Sequence, residues 1–310
     1  MRVSVSRQSA LLTAAVASLA SVAVPGPARA TAGSAQLQFP SQQQQIPPSI
    51  KQRLDSKDSR LLVKPLNSGL SPPTEAQYPP WLEGDWKGVQ NFAGYELPAK
   101  DVLSRDELFA YADVPGFKKL SIAMLPDVGK ENVPLTLSWY RDANGAVRED
   151  RVANLRSAIR GGLGYDAIER IDYKDDSNNP FGLSLGNNPF NSNDPNRLRL
   201  IFAPGLTKNA DRIELFVNAR ETEAPKGRED DLFYTAEAMR QVTFSGTSAR
   251  QVNGEYCHFV SYRRVTPDRM VVVVVTAIYA DPLGAERLYV KAGGRRPIIL
   301  FSHTLQLSKV

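Results

Sequence analysis

With 310 residues, 42% of them hydrophobic, the chain has the apolar content of an ordinary soluble protein and enough length to bury a sizeable core in one or two domains. Its formal charge of +5 overstates its basicity: residues 1–30 hold three arginines and no acid, and the remainder has 35 Lys and Arg against 33 Asp and Glu. That balance, with only the isolated pairs Arg263-Arg264 and Arg295-Arg296, excludes the clustered basic face of a nucleic-acid binder. A single cysteine, Cys257, excludes an intrachain disulfide.

In chain order, Arg2 and Arg7 precede a weakly apolar stretch rich in Ala, Ser and Val, from Leu11 to Val24, and Ala28-Arg29-Ala30 follows. A basic start, a short apolar middle and a small-x-small end make residues 1–30 a cleaved targeting sequence. The stretch is too short and too rich in Ala for a membrane anchor, and no spanning helix is expected in the mature chain. Arg7 is followed by Gln8, so the twin-arginine type is not supported. Residues 31–77 read as a flexible linker, because Gln42 to Gln45, Pro47-Pro48 and Pro72-Pro73 sit among polar residues with almost no apolar period. Within it, Ile50 to Val63 has at most the makings of a helical turn.

From Trp81 onward the dominant period is two, the signature of strands. Leu120, Ile122 and Met124 make a short run; Leu135, Leu137 and Trp139 alternate with Thr136, Ser138 and Tyr140. Leu198, Leu200 and Phe202 follow, then Ile213, Leu215 and Val217, and finally Phe301, His303, Leu305 and Leu307. The β-branched run Val271 to Val275 predicts a strand covered on both faces. Asp142-Ala143-Asn144-Gly145 predicts a hairpin turn, and Asn193 to Asn196, Asp281 to Gly284 and Gly293-Gly294 predict further turns. Residues 231–241 have a helix-favouring composition, but no long helical stripe competes with the strands. The polar stretch Tyr173 to Asn196 is a long insertion between strands. Together these features predict one all-β, antiparallel barrel over residues 78–310.

Trp81-Leu82-Glu83-Gly84-Asp85-Trp86 opens this domain. Gly84-x-Trp86 resembles the lipocalin and calycin signature, which implies that Trp86 plugs the barrel floor and that an arginine near the last strand, best matched by Arg296, packs over the indole. A wider resemblance covers nearly all of 78–310. Tyr78-Pro79-Pro80-Trp81-Leu82-x-Gly84-x-Trp86, Glu149-Asp150-Arg151-Val152-x-Asn154-x-Arg156-Ser157, Asn196-Arg197-Leu198 with Glu214-Leu215-Phe216-Val217, and Ala292 to Pro297 look like an uncharacterised lipocalin-like family of plants, algae and cyanobacteria. Plastid members of that family are associated with thylakoids, so the resemblance implies a chloroplast thylakoid lumen location; a plain secretory signal would instead give a secreted or periplasmic protein. The family supplies no reaction to carry over.

Cys257-His258 invites a nucleophile–base reading, but neighbours on a strand point to opposite faces. His258 shares its face with Tyr256, Val260 and Tyr262, and His303 shares its face with Phe301, Leu305 and Leu307, so both histidines point inward. Two histidines without a cysteine or carboxylate pattern define no metal site. Gly161 to Gly164 lacks the Lys-Ser/Thr of a phosphate loop and reads as a turn. Asp175 to Asn179 lacks the Gly and closing Glu of a calcium loop, and no Gly-x-Ser-x-Gly is present. No catalytic residue and no cofactor are assigned. The leading expectation is a monomeric, non-catalytic exported barrel that holds a hydrophobic small molecule such as a lipid, carotenoid or tetrapyrrole, lined by Trp86, Trp139, Tyr262, His258 and His303. The alternatives are an accessory protein docking on a thylakoid membrane complex and an enzyme modifying a lipid or pigment.

Overall fold

A computed structural model describes residues 48–56, 73–110, 120–173, 196–208, 210–245, 248–282 and 284–310, all within the compact unit Pro47–Val310. The targeting sequence, much of the linker, the Asp175 to Asn179 stretch and most of the 173–196 insertion lie outside these residues.

The described part is one antiparallel sheet of ten strands, curled into a half-barrel. The strands are β1 (Gly84–Glu96), β2 (Val133–Arg141), β3 (Val147–Glu149), β4 (Ile168–Tyr173), β5 (Arg197–Phe202), β6 (Arg212–Glu223), β7 (Leu232–Ser245), β8 (Ser248–Thr266), β9 (Arg269–Tyr279) and β10 (Ile299–Lys309). Their order is β3-β2-β1-β10-β9-β8-β7-β6-β5-β4. The four helices are α1 (Ile50–Ser56), α2 (Arg105–Ala110), α3 (Arg151–Leu163) and α4 (Glu286–Ala292). The all-β, antiparallel barrel expectation therefore holds, and so do the buried series of β2, β5, β6 and β10. The predicted hairpin turn joins β2 to β3, with Gly145 at φ 82° and the Asp142 carboxylate accepting from the Asn144 and Ala146 amides.

Five local expectations change. Residues 231–241 fall in β7, where cross-strand pairing to β6 and β8 overrides helix propensity. Leu120 to Met124 is a loop: the Gln241 side chain, instead of a strand ladder, takes the Ala123 amide and the Leu120 carbonyl. Gly161 to Leu163 belong to the last turn of α3, and only Gly164, at φ 85°, makes the turn expected of them. In the linker, α1 packs Ile50 and Leu54 on the outer face of the sheet beside Cys257 and Phe259. Of the Val271 to Val275 run, Val275 is buried but Val273 is 36% exposed, so β9 is covered on both faces only in its second half.

The edge strands β3 and β4 do not pair with each other; two other elements bridge the gap. Helix α3, capped by the Asp150 carboxylate on the Ala153 amide, lies along the β2 edge, where Ser157 Oγ and Asn154 Oδ1 accept from the Thr136 and Ser138 amides. Residues 73–78 form a strap. Asn196 and Arg220 donate to the carbonyls of Pro73 and Thr74, Arg148 donates to those of Glu75 and Ala76, and the Tyr78 amide donates to Val147. The strap thus joins the β5–β6 side to β3.

The interior holds two apolar clusters. One gathers Leu82, Trp86, Trp139, Phe233 and Tyr262 at the floor; the other packs Leu155 and Ile159 of α3 against Leu200, Ile213 and Phe301. Trp86 is fully buried, and its indole N–H donates to the Leu82 carbonyl at 2.8 Å. The cation over its ring is Lys309, 5.4 Å from the centroid, and not Arg296. Arg296 instead makes a bidentate pair with Asp101 at 2.6 and 2.9 Å. Because β10 runs antiparallel to β1, Trp86 faces Lys309 at the end of β10 while Arg296 precedes its start, roughly 30 Å away at strand rise.

Helix α3 sits so close to β2 that a Cβ added at Gly161 would lie 2.1 Å from the Pro134 carbonyl oxygen, whereas one at Gly162 meets nothing nearer than 3.5 Å. Gly161→Ala is expected to lower stability by about 2 kcal/mol in urea unfolding, because overpacking against backbone outweighs the gain in helix propensity. Gly162→Ala is expected to be neutral or stabilising, and equal behaviour of the two variants refutes this placement of α3.

Candidate functional site

Between the two apolar clusters lies a cavity. It holds about 80 Å³ of space deep enough for solvent-sized occupants, within about 700 Å³ of atom-free volume that includes its open mouth. Apolar walls come from Leu135 and Leu137 of β2, Val260 of β8, Val272 and Val274 of β9, and Leu305 of β10, and Met124 and Leu125 of the 120s loop also border it. Strand register explains this convergence, since directly paired residues project to one face. Tyr262 pairs with Val272, Val272 with Leu305, and Leu305 with Gln90.

Three of the residues expected to line a pocket do so: Trp139, Tyr262 and His258. Trp139 meets Tyr262 edge-on, with ring centroids 5.8 Å apart. Trp86 belongs to the floor beneath. His303, 2% exposed, does point inward but packs against Phe92 with ring centroids 5.4 Å apart, outside the cavity lining. The two histidines therefore do not share the cavity. Cys257 faces the opposite side of β8 from His258, in the cluster under α1. Among the described residues no group of His, Cys, Asp and Glu is arranged to hold a metal ion.

The sequence reading missed a buried charge network on one wall. Arg151, at the start of α3, reaches Glu237 of β7, and Arg220 of β6 donates to the same carboxylate oxygen at 2.5 Å. Glu149 accepts from the Tyr78 hydroxyl and from Asn154, both at 3.1 Å, and lies 3.8 Å from Arg151. Glu237 and Glu149 line the cavity. Burial alone would push the Glu237 carboxyl up, but Arg151 and then Arg220 override it and hold its pKa at about 2. A carboxylate held this firmly is a poor proton acceptor near neutral pH. No local pattern links Glu237 to Arg151, 86 residues away, because their contact depends on the curl of the sheet.

Polar atoms without partners mark the same region. His258 Nδ1 bonds Thr276 Oγ1 at 2.8 Å, while its Nε2 has no partner; the Trp139 indole N–H has none, and neither ring nitrogen of His303 has one. Burial pushes His258 down to about 4, against the pull of Glu237 and with the help of His303 and Arg151; burial does the same to His303, also to about 4. Gln90, 3% exposed, also lines the cavity.

Two outcomes follow from these charges. Arg151→Met leaves Glu237 and Glu149 short of their partner and is expected to cost about 3–5 kcal/mol in thermal or urea unfolding, as buried ion pairs do when one member is removed; a loss below that of a surface arginine variant contradicts the network. Both histidines have folded values near 4 against an ordinary 6.5. Between those values the unfolded chain binds protons that the fold refuses, so stability is full above 6.5 and falls as the pH drops toward 4, by up to about 3 kcal/mol for each histidine. Unfolding free energies measured across that range are expected to decline, and His258→Phe to flatten the decline; a level profile rules it out.

No helix among the described residues is long and apolar enough to cross a membrane. The chain matches no family model, no curated protein and no solved structure.

Proposed function

We propose that this protein is an exported binding module whose barrel cavity receives a slender, mainly apolar small molecule. The observation that carries the proposal is an interior space walled by Leu135, Leu137, Val260, Val272 and Val274, with a few polar groups at one side; apolar walls with sparse polar anchors are the usual makeup of small-molecule sites. At about 80 Å³ the enclosed space lies well below the roughly 300 Å³ of pockets that surround drug-sized ligands. A lipid chain, or the end of a carotenoid, suits such a slot better than the broad macrocycle of a tetrapyrrole.

The N-terminal Arg2, Arg7 and Ala28-Arg29-Ala30 pattern supports export. The four segments that resemble the lipocalin-like plant, algal and cyanobacterial family support a thylakoid lumen setting, with a secreted or periplasmic protein as the alternative. We favour a monomer. The small enclosed volume also favours a second reading, an accessory protein that docks on a thylakoid membrane complex and whose cavity stays filled by its own side chains. Modification of a lipid or pigment is a weaker third reading, because Glu237 is engaged by two arginines.

Titration of the purified protein with octane and 1-octanol separates these readings. Saturable shifts of the Trp139 indole N–H resonance, with the Trp81 and Trp86 resonances unmoved, are expected; those two indoles already donate to the carbonyls of Glu229 and Leu82. Val260→Phe, which fills the slot, is expected to weaken binding by about tenfold or more while the protein stays folded. Failure of both probes to perturb Trp139 in folded wild-type protein sinks the binding reading and favours docking.

A further inference from the structure

Gln90 sits where the β1 pattern calls for an apolar residue. Trp86, Gly88, Gln90 and Phe92 are alternate positions of β1, and Gln90 pairs with Leu305 and Val133, both buried and apolar. Its side chain is 3% exposed and lines the cavity, and its amide makes no hydrogen bond among the described residues. The other buried glutamine, Gln241, is bonded to Ala123, Leu120, Thr243 and Tyr256. An amide at the wall of a cavity, without a partner in the fold, is available to whatever enters the cavity. An amide offers both a donor and an acceptor and no charge.

The charges nearby add a second constraint. Arg151 and Arg220 are matched by Glu237 and Glu149, two against two, through direct contacts. An occupant bearing a carboxylate or an ammonium would bring an unmatched charge beside a network already balanced, at a large desolvation cost. The unpartnered Trp139 indole N–H and His258 Nε2 lie in residues of the same lining; both are polar and, with His258 held neutral by burial, uncharged.

We infer that Gln90 is the polar anchor of the cavity and that the occupant carries an uncharged, hydrogen-bonding head, such as an alcohol or a ketone, on its slender apolar chain. This rests on the binding reading above. The apolar chain lies along Val260, Val272 and Val274, and the head exchanges its hydrogen bonds with water for those of the Gln90 amide. Discrimination against a hydrocarbon of the same length then comes from the amide that the hydrocarbon leaves unpaired, the way sites built around a hydrogen bond reject analogues without it.

Calorimetric titration of the purified wild-type protein near neutral pH with 1-octanol, octane, octanoate and octylamine tests the assignment. Octanol is expected to bind about tenfold or more tightly than the other three. Gln90→Leu, which replaces a lone buried amide by an apolar group of similar size, is expected to keep the thermal midpoint of wild type or raise it, and to erase the advantage of octanol over octane. Octanoate or octylamine binding as tightly as octanol overturns the inference, as does an unchanged octanol advantage in Gln90→Leu; either result leaves the binding reading standing. Binding of none of the four overturns the binding reading, and this inference with it. Should Gln90→Leu fail to fold, the wild-type ranking of the four probes decides.

Discussion

The contact between Arg151 and Glu237 is the constraint on which the rest of the structure depends. In the strand order, β3 and β7 are six steps apart, yet the residue two positions after β3 meets the middle of β7. Only a sheet curled onto itself brings them together. The pair is buried, and Arg220 and Glu149 complete it, so its desolvation is compensated by further charges and hydrogen bonds, the condition under which a buried ion pair persists. The aromatic contacts of Tyr78 and Trp139 with Phe233 and Tyr262 act across the same gap. Charge fixes the distance between the two walls, and the aromatic rings fill the floor beneath.

That arrangement determines what kind of space is left. With the walls held apart by a salt-bridge network and not by packed leucines, the side chains of β1, β2, β8, β9 and β10 do not close on one another completely. The residual cavity inherits apolar walls from the strand alternation and a polar side from the network. The proposed occupant follows from this mixture: its chain is accommodated by the valines, and its head must suit groups whose charges already balance.

Much of the sheet was legible in the sequence because strand alternation is a local signal. Leu135, Leu137 and Trp139 are buried as their period requires, as are Leu198, Leu200 and Phe202, and His258 and Cys257 part to opposite faces as adjacent strand residues must. What was not legible depended on long-range geometry. Helix α3 carries an Asp150 cap and a Gly164 terminus that local rules recognise, but its buried face consists of Arg151, Asn154, Leu155, Ala158 and Ile159, too polar to stand out as an amphipathic stripe. Its polar members are buried because they bond an uncovered strand edge and a distant carboxylate, partners that no sequence window contains. The expected Arg296–Trp86 contact failed for a related reason: proximity to the last strand in sequence said nothing about which end of that strand the indole occupies. Gln90 drew no attention in the sequence because its strand alternates Trp86, Gly88, Gln90 and Phe92, too mixed a series to mark an inward face; only its burial in the structure reveals it.

The way the barrel is closed has a consequence for how it moves. An uninterrupted ladder between β3 and β4 would tie the two edges with a continuous row of backbone bonds. Here the edges are joined by a helix and by a strap whose bonds are mostly made by the side chains of Asn196, Arg220 and Arg148. Parting this seam leaves the pairing among the ten strands intact but breaks those bonds together with the Arg151–Glu237 contact and the Tyr78–Phe233 ring contact, so it is a subglobal opening that lies below complete unfolding in free energy. The tightness of that flank is set by three polar side chains gripping the main chain of four consecutive residues, and by the charge pair behind them.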